Sequence, residues 1–287
     1  MQSEAIVPYV KYDPLQIFYA SKTPAALYAR QKWLQQAKTI KWKNDFREAV
    51  NTLFSGQCAN GSWNNSLLLT IHKLFGLHLT IRHQDERIEK GLEWLLSQEV
   101  FCKDNKISRA QSEKVSARDL HGLPFSGGCF DHFVKGAVLF LSTIFGQENY
   151  SKVIRVYEIL RIIGEKRKGR WCTWSCSGNI LRAFVVHPLY RESSIIRMYV
   201  KRLGQLQRPD GHWPPQIPFY QTVNALGHLD FIQSDDLLQR SFLTLRAEQN
   251  KDGTWGRTQR EWNTFLILHA IKRKNYLLSM EEIEHSP

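Results

Sequence analysis

Three cysteines stand where a metal or a nucleophile would need them. Cys172 and Cys176 are four residues apart, the spacing that puts two thiols on neighbouring turns of a helix, and Cys129 lies 43 residues before Cys172. His121, Asp131 and His132 are close by in sequence. Thiolate and imidazole sets of this kind suit zinc. The spacing matches no zinc-finger pattern, and cysteines also serve as small core residues, so a zinc site (Cys129, Cys172, Cys176), a reactive thiol and plain packing are all open readings. Two carboxylates, Asp131 and Glu261, precede strongly apolar runs. Asp131 is the best candidate for a buried acid and Glu261 a secondary one, and Asp131 is also a good helix-capping residue. The string Ser234, Asp235, Asp236 reads as the capped, acidic start of a helix. No glycine-rich phosphate loop, Ser-His-Asp set, H-E-x-x-H or nucleotide fingerprint occurs.

The elements that position these residues form a repeat. Gln57, Gly61 and Trp63 spell Q-x3-G-x-W, as do Gln207, Gly211 and Trp213, and Gln249, Gly253 and Trp255. Gly127, Gly169, Gly211 and Gly253 follow one another at a period of 42 residues. Trp63 to Cys129 spans 66 residues, 24 more than one repeat, and the polar, aperiodic segment 101–124 accounts for the excess as an inserted loop. Before each glycine an amphipathic pattern of helical period appears, such as Ile195, Met198, Tyr199, Leu203 and Leu206. The glycine then ends that helix in a turn of positive φ, with Asp210 or Asp252 before it in two cases. After the tryptophan comes a run apolar on every side: SLLLTIHKLFGL, KGAVLFLSTIFG, TVNALGHL, NTFLILHAI. A helix apolar all round is buried all round. An open solenoid would keep that inner layer wet and polar, so the expectation is an all-α, closed α/α toroid of some ten to twelve helices in a single domain, 1–287, with residues 1–22 wrapping its outside.

Over residues 45–271 the Q-x3-G-x-W elements resemble the QW motif of the terpenoid cyclases, the squalene–hopene and oxidosqualene cyclases, shared in looser form with the protein prenyltransferase β-subunits. The resemblance implies that each motif Gln and Trp ties an outer helix to the following repeat. It also implies a polyprenyl or terpenoid ligand in a central apolar cavity. Class II cyclases of that family begin their reaction with a D-x-D-D acid at the start of an inner helix. A carboxyl kept protonated by apolar surroundings is a strong enough acid for that step. This sequence has no D-x-D-D. At the corresponding inner-helix starts the carboxylates are Asp131 and Glu261, so the resemblance makes Asp131 the candidate general acid, Glu261 the second candidate and His132 a partner to Asp131. It likewise makes Trp171, Trp174, Trp213, Phe219, Tyr220 and Trp262 the candidate aromatic lining, whose ring faces would stabilise cations; ordinary packing is the alternative. This acid-initiated cyclase needs no cofactor. The prenyltransferase β-subunits hold one zinc with Asp, Cys and His, which implies the rival zinc enzyme using the Cys129, Cys172 and Cys176 region. A non-catalytic toroidal binder is the third reading. A class I D-D-x-x-D is absent.

Composition narrows the partners. The chain has 287 residues, 39 Lys and Arg against 27 Asp and Glu, a net charge of +12 and nine Trp. A basic balance favours anionic partners such as diphosphates, an anionic membrane face or nucleic acid. The basic residues fall in short clusters, for example Arg161, Lys166, Arg167, Lys168 and Arg170, and solvated helix faces explain them equally well. The aromatics follow the repeat and do not interleave with Arg and Lys on one face, which argues against nucleic acid. No run approaches the ~18–20 apolar residues of a membrane span. The start, MQSEAIVPYV, has no signal-peptide pattern, and five cysteines in this length are too few and odd in number for a disulfide framework. The expectation is a reduced, cytoplasmic protein, with VPYVKYDPLQIFYA either touching a membrane surface or wrapping the ring.

Overall fold

The computed structural model describes residues 10–81, 83, 85–102 and 114–274. Twelve α-helices carry it: α1 (Pro24–Lys32), α2 (Ile40–Phe54), α3 (Leu67–Thr80), α4 (Glu86–Ser97), α5 (Glu99–Cys102), α6 (Phe130–Ile144), α7 (Ser151–Lys166), α8 (Trp174–Phe184), α9 (Ser194–Leu206), α10 (Phe219–Leu226), α11 (Ile232–Ala247) and α12 (Arg260–Arg273). The described β-structure is slight: β1 (Lys114–Val115) pairs antiparallel with β2 (Gly128–Cys129), so the segment after α5 returns to the ring just before α6. The middle of the expected inserted loop, 103–113, lies outside the described residues, as do 1–9 of the expected wrapping segment.

The helices form two layers. α1, α3, α6, α8, α10 and α12 pack each on the next, and α12 returns to α1, closing an inner ring of six. The apolar runs after each tryptophan are these inner helices. α6 is buried from His132 to Thr143 without interruption. α2, α4, α7, α9 and α11 lie outside and bury one stripe each, as in α4, where Ile88, Gly91, Leu92, Leu95 and Leu96 face inward. The architecture is the closed all-α toroid that the repeat predicts.

The motif residues make the joints between layers. Gln57 Nε2 donates to Gly61 O (2.9 Å) and to Arg87 O of α4 (2.7 Å), and Gln207 Nε2 donates to Gly211 O (3.0 Å) and to Leu237 O of α11 (2.9 Å). The indoles of Trp63, Trp171, Trp213 and Trp255 donate to Ser55 O, Leu160 O, Leu203 O and Leu245 O, which pins each ring to the C-terminal half or cap of the preceding outer helix. Gly61, Gly169, Gly211 and Gly253 have φ between +78° and +88°. A Cβ there would stand 2.0–2.8 Å from backbone of the neighbouring segment, so these turns need glycine twice over, for conformation and for closeness. Gly127 differs from its expected counterparts. Its φ is not positive, and a Cβ on it would meet Val115 O and Ala117 N at 3.1 Å, because the strand pair replaces the tight turn in that repeat.

At the third motif no outer helix follows among the described residues, and an earlier part of the chain packs there. Gln249 Nε2 donates to Tyr12 O (2.9 Å), and its Oε1 accepts from the backbone N–H groups of Lys11 (2.6 Å) and Tyr12 (3.0 Å). Thr23 Oγ1 caps α1 by accepting from Ala26 N, and donates to Glu261 at the start of α12. Among the described residues no helix is long and apolar enough to cross a membrane.

Candidate functional site

The inner helices present chemistry at both ends. At the N-terminal ends of α6 and α8, ligand atoms of Cys129, His132, Cys172 and Cys176 all lie within 4.8 Å of one another. Cys129 is the N-cap of α6, and His132, three residues on, shares its face. Cys172 precedes α8 and Cys176 lies in its first turn. The Cys129 and Cys172 sulfurs are 3.9 Å apart, too far for a disulfide, and the Cys129 N–H donates to Cys176 Sγ at 3.3 Å. His132 is buried, and its Nδ1 has no hydrogen-bond partner. Burial, then the charge of Lys135, pulls its pKa down to about 4, against the opposing pull of Asp131.

In the middle of the ring is a cavity of about 390 Å³ to which all six inner helices contribute. Its apolar walls include Tyr28, Phe75, Phe140, Trp262 and Phe265, with the Trp262 and Phe265 rings stacked at 5.3 Å. Its polar lining is cationic or neutral: Arg182, Arg273, His78, His228, His269 and Asn224, with no carboxylate among the described residues. These residues come mainly from the C-terminal halves of their helices, and Arg182, Arg273 and His78 fall in last turns. Carbonyl-rich helix ends favour cations, which is the local reason a ring of converging C-termini tolerates them.

Arg182 is the unusual member. It is 5% exposed and makes no ion pair among the described residues. Its Nε and Nη1 are buried without a partner, and its guanidinium lies 5.2 Å from the centre of the Phe140 ring. Burial, with Arg273 adding repulsion, lowers its pKa to about 9, which leaves it charged at neutral pH. Near it, His228 Nε2 and Asn224 Oδ1 are also buried and unpartnered. Burial foremost, then the charges of Arg182, His269, Arg273 and His78, holds His228 well below the ordinary histidine range, so it is neutral. Unpaired buried polar atoms are costly unless something satisfies them.

A second cavity, about 520 Å³, lies toward the N-terminal ends of α1 and α12 and shares Phe75, Leu79 and Trp262 with the first. Among the described residues Glu261 is its one carboxylate, and His72 and His121 also line it.

The residues singled out in the sequence therefore separate into groups. Trp262 lines both cavities and Glu261 lines the second. Asp131 lines neither; it lies in the first turn of α6 beside the cysteine cluster. His132 joins Cys129, Cys172 and Cys176. Trp171 and Trp213 are buried between the layers as motif residues, and Trp174 packs edge-on against Tyr199. Phe219 packs against His212 and Trp213, with Tyr220 next to it. The polar cavity residues Arg182 and His228 carried no sequence signal, since they follow no motif, and Arg273 stood out only as part of a basic cluster.

No family model matches the chain, and no curated protein matches it. Solved structures do. A type II terpene cyclase from Scytonema, MstE, determined with geranylgeranyl dihydroxybenzoate as substrate, is similar over 89% of this chain and 88% of its own, with TM-score 0.57 and 12% identity. A protein from Actinoplanes is similar over 89% of both chains, with TM-score 0.54 and 15% identity. At these identities the likeness is one of fold: the chain has a terpene cyclase-like toroid.

Proposed function

We propose that the protein binds a terpenoid or polyprenyl small molecule with an anionic head in its central cavity. The observation that carries this reading is Arg182, a buried guanidinium in an aromatic cavity with no counter-charge among the described residues. A buried cation of this kind is strongly favoured by an anionic partner. Diphosphate or carboxylate oxygens would take the unpaired Nε–H and Nη1–H, with His228 and Asn224 at hand for further polar contact, and Phe75, Phe140, Trp262 and Phe265 would flank the isoprenoid chain. At about 390 Å³ the cavity falls within the ~300–1,000 Å³ range of small-molecule sites. The structurally similar cyclase carries a ligand of the same character, a geranylgeranyl chain on a benzoate.

A catalytic version of this reading, an acid-initiated cyclase, rests on Glu261. Among the described residues it is the one carboxyl that lines either cavity, and it stands beside Trp262, which lines both.

The test is binding of farnesyl and geranylgeranyl diphosphate to the purified protein, followed calorimetrically, against the corresponding alcohols and the Arg182→Gln variant. The expected result is a preference for the diphosphates that drops at least about tenfold in Arg182→Gln, as for a lost charged contact of ~1.5–3 kcal/mol. Equal affinity for diphosphate and alcohol, or an unchanged Arg182→Gln, would overturn the assignment of the head group.

A further inference from the structure

We propose that Cys129, His132, Cys172 and Cys176 form a closed, four-ligand zinc site that fastens the N-terminal end of α6 to that of α8. The donor set is three sulfurs and one imidazole, the Cys₃His composition of structural zinc centres. It contains no carboxylate, and so differs from the Asp, Cys and His set that the prenyltransferase resemblance would imply.

The geometry is close to what tetrahedral zinc requires. With Zn–S bonds of ~2.3 Å, the sulfur–sulfur edge of a tetrahedron is about 3.8 Å. Cys129 and Cys172 are 3.9 Å apart, and no ligand atom of the four is more than 4.8 Å from another, so the site closes with shifts of an ångström or less. Three further features suit thiolates. Cys176 is the third residue of α8, where the helix N-terminus favours negative charge. Its sulfur already accepts a backbone N–H from Cys129. Gly128 leaves room for it, since a Cβ there would stand 3.0 Å from Cys176 Sγ. His132 supplies the independent sign of a missing partner, a buried Nδ1 with nothing bound to it.

Three thiolates, one neutral imidazole and Zn²⁺ sum to one negative charge. Lys135 and Arg167 both act electrostatically at this position and offset it. Four protein ligands leave no open coordination position, so the ion's role is to hold helices together. The site fits where it stands. The repeat that leads into α6 has lost its tight glycine turn at Gly127, and a metal clamp at the next residues restores a fixed joint between two inner helices. It also lies apart from the ligand cavity, about 12 Å along α6 from His132 to Phe140 and about 9 Å along α8 from Cys176 to Arg182 at 1.5 Å per residue, so failure of one proposal leaves the other intact.

The experiment is elemental analysis of the untagged protein, purified without chelator, together with Cys58→Ser, Cys172→Ser and Cys176→Ser. The expected result is about one zinc per chain, kept in Cys58→Ser and lost in the other two. If those variants fail to fold, metal-depleted wild-type protein is titrated with Co²⁺, which should give the intense thiolate-to-cobalt charge-transfer band and visible d–d bands of a tetrahedral, thiolate-rich site. Wild-type protein that carries no zinc and gives no such cobalt spectrum overturns the proposal. So does retention of zinc in Cys176→Ser.

Discussion

Gly61 and Gly56 belong to the same connection between α2 and α3, and they offer a controlled test of how tightly the layers are joined. Both have left-handed φ, +88° and +76°. A Cβ at Gly56 would meet nothing within 4 Å, whereas at Gly61 it would stand 2.2 Å from Lys90 O and 2.4 Å from the Lys90 carbonyl carbon. The obstacle is the backbone of α4, which has no rotamer to yield. Alanine at either position incurs the left-handed cost of ~1–2 kcal/mol. Gly61→Ala adds the cost of pushing α4 outward, ~1–3 kcal/mol for forced overpacking, for a total of about 2–5 kcal/mol. At about 2 °C per kcal/mol for a chain of this size, Gly56→Ala should lower Tm by roughly 2–4 °C and Gly61→Ala by roughly 4–10 °C. Thermal unfolding followed by circular dichroism at 222 nm reads both. Equal losses in the two variants would refute the claim that the glycine is required by the approach of the next outer helix.

Two further outcomes follow from buried charge. Arg30 and Asp45 form an ion pair of 2.8 Å between α1 and α2, with Arg30 fully buried. Its guanidinium holds the Asp45 carboxyl below the usual carboxylate range. Asp45→Ala should cost about 3–5 kcal/mol in chemical denaturation, because it strands the arginine; a loss below about 1 kcal/mol would show that Gln36 and the Ser21 carbonyl suffice for it. Because His228 is held neutral in the folded protein and titrates near 6.5 when unfolded, the unfolded state binds the extra proton first. Stability should therefore fall as pH drops below about 6.5, with a slope of up to about 1.4 kcal/mol per pH unit from this residue. His228→Gln should flatten that slope, and a saturating anionic ligand should flatten it also, by favouring the imidazolium. An unchanged slope in His228→Gln would refute the assignment.

The ring was legible because its joints are made of side chains with few substitutes. A Q-x3-G-x-W turn needs an amide that reaches two carbonyls, a glycine at positive φ and an indole N–H, so the chemistry left its spacing in the sequence. Cys129 and Cys172 show up for a similar reason, lying 43 residues apart, close to one repeat, just before adjacent inner helices. His132 was harder. Read along the chain it sits beside Asp131, but on a helix its nearest functional neighbour is the residue three back, Cys129. The cavity was least legible of all. Arg182, Asn224 and His228 come from the far ends of α8 and α10, where no turn motif marks the register. An arginine in an apolar run reads as a snorkelling surface residue until a closed ring is known to surround it.

The ring closes through contacts between residues 237 and 238 positions apart, Tyr12 with Gln249 and Thr23 with Glu261. In equilibrium terms this is cheap. Going from one 42-residue repeat to that separation is about two and a half doublings of loop length, roughly 1.5 kcal/mol of closure entropy. In time it is not neutral. During synthesis, α1 waits for α12, and until that helix emerges the faces carrying Tyr28 and Trp33 have no partner for Phe265. Two unfinished chains hold the same pair of complementary faces, so the start of one could dock on the end of another, the exchange that produces swapped dimers. A toroid sealed by its own first segment is thus a fold whose monomeric state depends on winning an intramolecular race.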